Sequence, residues 1–338
     1  MCNGEYLVNI ITDTDLIRYF TRFDADDGFL ILHGTKKVLF VDNRYYYAAK
    51  SKADSECVLL EENSLSNYLK DNQIKSVGIV YEYTTASFLN KLNDLKVNVY
   101  DCSEYIFTLT SVKTAGEIEI IKQSCAIAEK SFYQLLPLIK EGVTEKDLKA
   151  ELEYLMAKNG GDKPSFDTIV AFGENSAIPH HKTSSAKLKN NLHILIDFGT
   201  FYSGYASDMT RTLFFGTPTE EYKKVYDAVK TAHLTAYQNI TSGISGMVAD
   251  GFARNLLKSR GFGEYFTHSL GHGIGVKIHE APRLSLKSDY VLKDGNVFSI
   301  EPGVYLNGKF GVRIEDTVAL IDGKCVSMMT SDKNPIIL

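Results

Sequence analysis

The chain has 338 residues, of which 44% are hydrophobic and 23% charged, and its formal net charge is −5. This composition is typical of a soluble globular protein that is long enough to bury a sizeable core. It excludes a strongly basic surface for nucleic acid, and no apolar run approaches the ~18 residues that a membrane helix needs. We therefore expect neither a nucleic-acid nor a membrane partner.

Five cysteines are scattered along the chain, and none of them forms a Cys-x-x-Cys pair. This spacing argues against a thiolate metal site or a disulfide framework and favours a reducing compartment. The opening stretch MCNGEYLVNIITDTDL has no basic start followed by an apolar segment, so it predicts no signal peptide. Together these features predict a cytoplasmic protein.

Residues 1–108 predict a small α/β domain. Short apolar runs separated by turn residues are typical of strands, and a longer mixed segment between two of them predicts a helix. The predicted strands are Phe29–His33, Lys37–Val41, Ser76–Tyr81 and Val97–Asp101, and the helix is Thr84–Leu95. No catalytic cluster is visible in this part of the sequence.

Residues 109–338 predict a larger domain that opens with two helices. Apolar residues recur at three- and four-residue spacing from Ile118 to Leu135, the pattern of one buried helix face, and Pro137 ends that helix. Thr144 followed by Asp147 predicts a capping box at the start of the second helix. The later predicted elements are a strand over Phe166–Phe172, helices over Glu220–Ile240 and Met247–Ser259, and strands with glycine turns from Phe266 onward.

Leu192–Phe215 is the clearest hairpin of the chain, with its turn at Ser203-Gly204. That turn pairs Asp197 with Thr210 and places Asp197 and Asp208 on the same face, roughly 7–8 Å apart at Cα. Two desolvated aspartates on one face of an otherwise apolar strand pair repel each other. A divalent cation between them would remove this repulsion.

Carboxylates recur at strand ends further along the chain. Val297–Ile300 is an apolar strand that ends in Glu301, and the alternation of Val312–Asp316 places Arg313 and Glu315 on one face. Buried carboxylates are rare unless they are paired or bind a metal. These glutamates are therefore further candidate ligands.

His272 lies between two glycines in the stretch HSLGHGIG, where the backbone can bend sharply enough to aim a ring nitrogen at a metal. The candidate ligand set is Asp197, Asp208, His272, Glu301 and Glu315. Four negative charges match two divalent metal ions. Oxygen ligands with one imidazole favour Mn, Co or Zn over copper or an iron–sulfur cluster, and Mn is the first expectation.

The motifs that carry these five residues resemble the metal-ligand motifs of the pita-bread metallopeptidases, a family that includes Xaa-Pro aminopeptidases, prolidases and methionine aminopeptidases. The motifs are IDFGT, ASDMTRT, HSLGHGIG, IEPGVY and VRIEDT. Residues 1–105 resemble, less specifically, the amino-terminal domain of the Xaa-Pro branch and of creatinase. The resemblance implies an α/β (α+β) fold, with a creatinase-like α/β domain over 1–108 and a pita-bread catalytic domain over 109–338.

The resemblance also implies a role for each candidate ligand. Asp197 would bind one metal, Asp208 would bridge both, and His272 would complete the second site. Glu301 and Glu315 would supply the remaining ligands. Glu301 is also the expected general acid–base that carries a proton to the leaving nitrogen.

Further roles follow from the same resemblance. His180 in NSAIPHH and His279 in HEAP match active-site histidines and are expected to donate hydrogen bonds to substrate and to the developing oxyanion. His181 follows directly, so which imidazole faces the substrate stays open, with His180 favoured. His268 and Arg313 are expected to bind substrate, and Arg313 has a second interpretation as a residue that orients the ligands.

The leading hypothesis is a dinuclear metallopeptidase that hydrolyses the bond between an N-terminal residue and proline, which is an Xaa-Pro aminopeptidase. Its partner would be a peptide with proline in the second position. The alternative in the same class is an Xaa-Pro dipeptidase (prolidase), and the alternative of another class is a catalytically inactive pita-bread binding module. The resemblance further implies a homodimer.

Overall fold

The computed structural model describes residues 8–338. It divides the chain into two compact units, with the division between Thr110 and Ser111. Both units combine helices with β-sheet, which confirms the α/β class predicted from the sequence.

The first unit is built on a six-stranded mixed sheet. Its elements are β1 (Val8–Ile11), α1 (Thr14–Thr21), β2 (Phe29–His33), β3 (Lys36–Val41), α2 (Tyr46–Lys52), β4 (Glu56–Leu59), α3 (Ser64–Asp71), β5 (Ser76–Ile79), α4 (Ala86–Asp94), β6 (Asn98–Asp101) and α5 (Ser103–Ser111). The strand order is β4-β3-β2-β1-β5-β6. The predicted strands and helix are confirmed, except that β5 ends before Val80, where a 3₁₀ turn over Tyr81–Tyr83 follows.

Apolar side chains fill both faces of this sheet. Because successive strand residues point to opposite faces, Ile10 and Ile11 belong to different hydrophobic clusters. Helices α1, α2 and α5 cover the face of Ile11, and helices α3 and α4 cover the face of Ile10. The unit is therefore a three-layer α/β/α sandwich.

The second unit contains a larger, mainly antiparallel sheet between two pairs of helices. Its helices are α6 (Ala115–Leu135), α7 (Glu145–Lys158), α8 (Glu220–Asn239) and α9 (Gly246–Ser259). Its strands are β7 (Lys163–Pro164), β8 (Ile169–Phe172), β9 (Leu192–Phe198), β10 (Thr200–Tyr202), β11 (Tyr205–Ala206), β12 (Met209–Phe215), β13 (Gly271–Gly273), β14 (Glu280–Leu284), β15 (Val297–Ile300), β16 (Gly303–Leu306), β17 (Phe310–Arg313), β18 (Glu315–Ile321), β19 (Lys324–Ser327) and β20 (Ile336–Ile337).

The large sheet has the strand order β14-β13-β15-β18-β12-β9-β8, with β19 paired to β18 and β20 paired to β12. Helices α6 and α7 pack on one face, which includes Leu213 and Val297. Helices α8 and α9 pack on the other face, which includes Phe214 and Phe298. Adjacent residues of one strand thus bury their side chains in different layers, which accounts for consecutive apolar residues such as Leu213 and Phe214.

Local signals in the sequence define the helix ends. Thr144 caps α7 with the reciprocal bonds of a capping box, in which Asp147 takes the place usually held by Glu, and this confirms the prediction. Helix α6 gives way at Leu136 to a 3₁₀ turn that contains Pro137. Helices α8 and α9 lie where the sequence predicted them.

The hairpin of β9 to β12 has the predicted register. Asp197 lies opposite Thr210, and Tyr202 lies opposite Tyr205 across the turn. Ser203 and Gly204 both have positive φ, as a tight two-residue turn between twisted strands requires. The sequence prediction of this hairpin is confirmed.

Two predicted strands differ from the observed ones. The strand expected from Phe166 begins only at Ile169, and the separate short strand β7 pairs with β10. The strand expected over Val312–Asp316 is interrupted at Ile314, because β17 pairs with β16 while β18 pairs with β12 and β15. Arg313 and Glu315 therefore belong to different strands.

Within residues 8–338, no helix is both long and apolar enough to cross a membrane. Four cysteines of that range have free thiols, namely Cys57, Cys102, Cys125 and Cys325. Cys2 and the other residues before Val8 lie outside the described residues, so the prediction made from the opening stretch falls partly outside them.

Candidate metal centre

The five candidate ligands come from five strands that are neighbours in the large sheet. The strands follow the order β13, β15, β18, β12 and β9. His272 lies in β13, Glu301 directly follows β15, Glu315 begins β18, Asp208 directly precedes β12, and Asp197 lies near the end of β9. Neighbouring strands bring residues separated by many positions in the chain to one place. All five side chains line one cavity of about 560 Å³.

The side-chain atoms of this cluster lie within the reach of a shared cation. His272 Nε2 is 3.5 Å from Asp208 Oδ2 and 3.4 Å from Glu301 Oε1. Ligand atoms of Asp208, His272 and Glu315 all lie within 4.8 Å of one another. The geometry thus gathers one imidazole and several carboxylates around a common point.

The carboxylates of this cluster are crowded and buried. Burial, followed by the negative charges of Asp197 and Glu301, raises the pKa of Asp208 well above its ordinary value. Burial also raises the pKa of Glu315 well above the ordinary value, with the charge of Asp208 next in importance, and burial raises the pKa of Glu301. Without a cation, the site would hold protons to relieve this repulsion.

A divalent cation fits this site. Asp197 Oδ1 is buried and has no hydrogen-bond partner within the described chain. A buried carboxylate oxygen without a donor is costly unless it binds a metal. The donor set of carboxylate oxygens and one imidazole is the chemistry that Mn, Co or Zn accepts. The cluster is therefore a candidate metal centre.

His272 is oriented by its own backbone and by a serine. Its Nδ1 lies 3.1 Å from the carbonyl oxygen of Gly273, so this nitrogen carries the proton and donates it. The tautomer leaves a lone pair on Nε2, which faces the carboxylates. Ser299 Oγ accepts a hydrogen bond from the His272 backbone at 3.1 Å and donates to Glu301 Oε1 at 3.0 Å. One hydroxyl thus links two candidate ligands.

Glu315 is held from both its side chain and its backbone. Thr210 Oγ1 donates to Glu315 Oε2 at 2.6 Å, and Arg211 Nη1 donates to the Glu315 carbonyl oxygen at 2.6 Å. Arg211 also forms a buried ion pair with Asp316 at 2.8 Å. Burial disfavours the charge of Asp316, but Arg211 and its other cationic neighbours hold the pKa of that carboxyl below its ordinary value.

Arg313 is buried in the wall of the site. Its Nη2 donates to Asp197 Oδ2 at 2.6 Å, its Nε to Thr210 Oγ1 at 3.0 Å, and its Nη1 to Tyr305 OH at 2.7 Å. These contacts orient Asp197, which favours the second interpretation of Arg313 over direct binding of substrate. The orientation matters because it engages one oxygen of Asp197 and leaves the other, Oδ1, without a hydrogen-bond partner and so available to a cation.

His268 also has both ring nitrogens engaged within the protein. Nδ1 donates to the carbonyl oxygen of Ser269 at 2.8 Å, and Nε2 accepts from Tyr305 OH at 2.8 Å. Burial, followed by the charge of Arg313, lowers the pKa of His268 to about 3, so the ring is neutral. The geometry therefore favours a supporting role for His268 over the predicted contact with substrate.

Tyr305 connects these two residues, and the sequence analysis missed it. It lies in the short strand β16, four residues after Glu301 in IEPGVY. Its hydroxyl accepts from Arg313 and donates to His268, and burial raises its pKa to about 12. A tyrosine in an apolar stretch carries no sequence signal for this role, because its partners are fixed only by tertiary packing.

The remaining predicted histidines lie at the cavity. His180 and His279 are exposed side chains in its lining. The ring of His279 lies 4.3 Å from that of His272. Desolvation of this partly covered ring, followed by the charges of His272 and Arg283, lowers the pKa of His279 to about 4. Arg283, opposite His272 in the strand pair, is an exposed cation of the lining that sequence reasoning also missed.

His181 differs from its neighbour His180. Its Nε2 lies 2.9 Å from Glu145 Oε2, and only 10% of its side chain is exposed. A carboxylate accepts but does not donate, so this nitrogen of His181 carries the proton. His180 is the more exposed of the two, which agrees with the preference for His180 as the residue that faces substrate.

Profiles of two known families match the chain. Residues 119–322 match metallopeptidase family M24, and residues 5–109 match the creatinase/prolidase N-terminal domain. An Xaa-Pro dipeptidase of Pyrococcus furiosus is 37% identical over 297 residues, which are 87% of this chain and 85% of that protein.

Solved structures of similar proteins share the fold over nearly the whole chain. An Xaa-Pro dipeptidase from Bacillus anthracis has a TM-score of 0.94 and 34% identity, with 98% of this chain and 95% of that chain covered. An X-Pro aminopeptidase from Thermotoga maritima has a TM-score of 0.93 and 33% identity, with 98% and 96% covered. These relatives are similar in both length and architecture.

Proposed function

Because this chain belongs to metallopeptidase family M24 and has the pita-bread fold, we propose that this hydrolase cleaves the peptide bond between an N-terminal residue and proline. The observation that carries the proposal is the convergence of four carboxylates and His272 at one cavity that also exposes His180 and His279. The proline preference is supported by the names of the similar proteins, which are Xaa-Pro dipeptidases and an X-Pro aminopeptidase.

The metal ligands in this proposal are Asp197, Asp208, His272, Glu301 and Glu315. They would hold two divalent cations, with Mn first and Co or Zn as alternatives. When bound, such a pair supplies Lewis-acid polarisation of the scissile carbonyl and a water of lowered pKa.

Glu301 is the proposed general acid–base. Its Oε1 lies 3.4 Å from His272 Nε2 and accepts a hydrogen bond from Ser299 Oγ, so the position of this oxygen is defined. Burial raises its pKa above the ordinary value, the direction of shift that suits a general acid–base. It would take the proton from the attacking water and give it to the departing nitrogen of proline.

His180 and His279 are the proposed donors to the substrate. His279 is neutral near pH 7 because its pKa is lowered to about 4, so it would donate from a single N–H. Placed at the cavity wall, the two rings would stabilise the substrate carbonyl and the negative charge that develops on it. Arg313 and His268 would position the site through Tyr305 rather than touch substrate.

The permitted peptide length separates two candidate functions. The sequence analysis favoured an Xaa-Pro aminopeptidase, which accepts longer peptides. Arg283 and Lys182 in the cavity lining favour a dipeptidase, because the carboxylate of a dipeptide lies one residue from the cleaved bond and an arginine pairs well with it. Both functions remain within the proposal.

The first test uses protein stripped of metal and refilled separately with Mn, Co and Zn. The substrates are an Xaa-Pro dipeptide, an Xaa-Pro-Xaa tripeptide and a peptide that begins Met-Ala-Ser. Metal-dependent cleavage of both proline peptides would indicate an aminopeptidase, and cleavage of the dipeptide alone would indicate a prolidase.

Two other outcomes would contradict the proposal. Cleavage of the methionine peptide alone would exclude a proline preference. A folded protein that binds two cations but cleaves none of the peptides would favour the inactive binding module. Cytoplasmic location and a homodimer stay predictions, and sedimentation of the active enzyme tests the second of them.

A further inference from the structure

The segment 172–184, which carries His180, is held by one buried carboxylate. Glu145 is the first residue of α7, and its side chain is 0% exposed. Its Oε1 accepts hydrogen bonds from the Phe172 backbone and from Asn175 Nδ2, each at 2.8 Å. These contacts attach the beginning of the segment to the helix.

The second oxygen of Glu145 holds the end of the same segment. Oε2 accepts from His181 Nε2 at 2.9 Å, from the Ser184 backbone at 2.8 Å and from Ser184 Oγ at 2.6 Å. The carboxylate therefore accepts from five donors, all of them in segment 172–184.

The chemistry of this contact requires a charged carboxylate. An ionised glutamate accepts at both oxygens, and the first turn of a helix favours its negative charge. Burial disfavours that charge, but the donors Ser184, Asn175 and His181 outweigh it and hold the pKa of Glu145 below its ordinary value.

His180 lies between two anchored neighbours. The carbonyl oxygen of Pro179 accepts from Arg313 Nη1 at 3.4 Å, and the ring of His181 donates to Glu145. With the residue on each side fixed, the backbone of His180 has little freedom, while its own side chain stays exposed at the cavity.

We propose that Glu145 is a positioning residue for hydrolysis, which holds His180 toward the substrate through its contacts with His181 and with both ends of segment 172–184. The inference rests on the proposed function for the role of His180. It assigns a function to a buried acidic residue outside the metal centre. It also gives the two consecutive histidines different roles, because His180 faces the cavity while His181 attaches the segment to Glu145.

The test is a double-mutant cycle with the metal-loaded enzyme. Glu145→Gln keeps the size of the side chain but replaces one acceptor oxygen by an NH₂ group, which is a donor. This group would face the backbone N–H of Phe172 or of Ser184, and a backbone N–H cannot accept a hydrogen bond. We expect kcat on an Xaa-Pro peptide to fall by roughly 10- to 100-fold, the scale of a small misplacement of a reacting group. In a His180→Ala background, the same change should alter kcat by less than about 2-fold, because the residue through which it acts is absent.

An equal fold-loss of kcat in the parent and in the His180→Ala background would overturn the proposal, because a contribution of Glu145 to folding alone does not depend on His180. Glu153→Gln is the matched control, since it changes a half-buried glutamate of the same helix whose ion-pair partner is Lys149. It should leave kcat and metal content unchanged.

A second pair of variants covers the case in which Glu145→Gln does not fold. His181→Gln keeps an N–H donor for Glu145, and His181→Leu removes it. We expect the leucine variant to lose at least about 10-fold more kcat than the glutamine variant, by the same misplacement argument. Equal activities of the two variants would contradict the proposal.

A measurement without substrate separates this inference from the proposed function. The ring C–H signals of His180 in zinc-loaded protein are assigned by their loss in His180→Ala. They should shift in Glu145→Gln and stay in place in Glu153→Gln. Unchanged His180 signals in Glu145→Gln would overturn the inference, whether or not the parent cleaves any peptide.

Discussion

The interiors of the two units differ in the kind of side chain that they bury. Among the described residues up to Thr110, the buried polar side chains are uncharged, and they are Asn9, Thr21 and Thr110. In the second unit the buried residues include nine that are charged, namely Lys113, Glu129, Glu145, Asp208, Arg211, Asp250, Arg313, Glu315 and Asp316. The first interior is an ordinary apolar core, whereas the second contains a set of buried charges in addition to its apolar clusters.

Most of the charges buried in the second unit have a partner of opposite sign. Arg211 pairs with Asp316, and Arg313 pairs with Asp197. Among residues 8–338, neither Glu315 nor Asp208 forms an ion pair, because His272 Nε2, 3.5 Å from Asp208 Oδ2, carries a lone pair rather than a charge. These two carboxylates also crowd each other. Because crowded buried charges of one sign are costly, they mark where the protein needs a cation from outside.

The largest effect that this comparison predicts is on catalysis. Glu301→Gln removes the proposed general acid–base and should lower kcat by about 10²–10⁴-fold. Steady-state hydrolysis of an Xaa-Pro peptide, with the metal content of each protein determined in parallel, measures the effect.

Glu61→Gln is the control for this variant, because Glu61 is an exposed glutamate of the first unit. It should behave as the parent does. Full activity of Glu301→Gln would show that the proton moves through another group.

The next largest effect is the loss of stability when a buried ion pair is broken, compared with the loss when an exposed one is broken. The ion pair of Lys113 with Glu280 has side chains that are 1% and 8% exposed. Lys113→Met leaves a buried carboxylate unpaired and should lower the free energy of unfolding by about 3–5 kcal/mol, as measured by denaturant unfolding.

Two further variants sharpen this prediction. The double variant Lys113→Met/Glu280→Met should recover most of the stability, because it removes both charges. Arg44→Met in the first unit breaks an ion pair whose side chains are 62% and 61% exposed, and it should leave stability unchanged. Similar losses for Lys113→Met and Arg44→Met would contradict the contrast between the units.

The smallest effect is a dependence of stability on pH in metal-free protein. The folded pKa of Asp208 is raised, mainly by burial, so its neutral form stabilises the fold at low pH and that contribution is lost as pH rises. Asp208→Asn has no such loss. The ordinary pKa of an aspartate is 3.8. As pH rises above this value, the stability of Asp208→Asn relative to the parent should therefore increase by up to about 1.4 kcal/mol per pH unit.

A core variant of the first unit is the control for this measurement. Leu30 is 0% exposed, and Leu30→Ala should lower stability by about 2–5 kcal/mol at every pH, because it changes no titratable group. A pH-independent difference between Asp208→Asn and the parent would show that Asp208 titrates normally in the metal-free fold.

Much of the fold and of the candidate centre could be predicted before the structure. The capping box at Thr144 and the register that pairs Asp197 with Thr210 depend on residues close together in the chain. The break at Ile314 could not be predicted, because it follows from which strands lie beside β17 and β18. The period-two pattern continues through that break, so the sequence alone favours one strand.

The sequence by itself determined most of the secondary elements and supplied the candidate ligands, since side-chain periodicity, turn residues and helix caps act over a few positions. Only the tertiary structure decided which polar groups contact one another. Arg313 reaches Asp197 across 116 positions, and His181 reaches Glu145 across 36. Such contacts depend on how packed elements orient individual side chains, and no local pattern records that orientation.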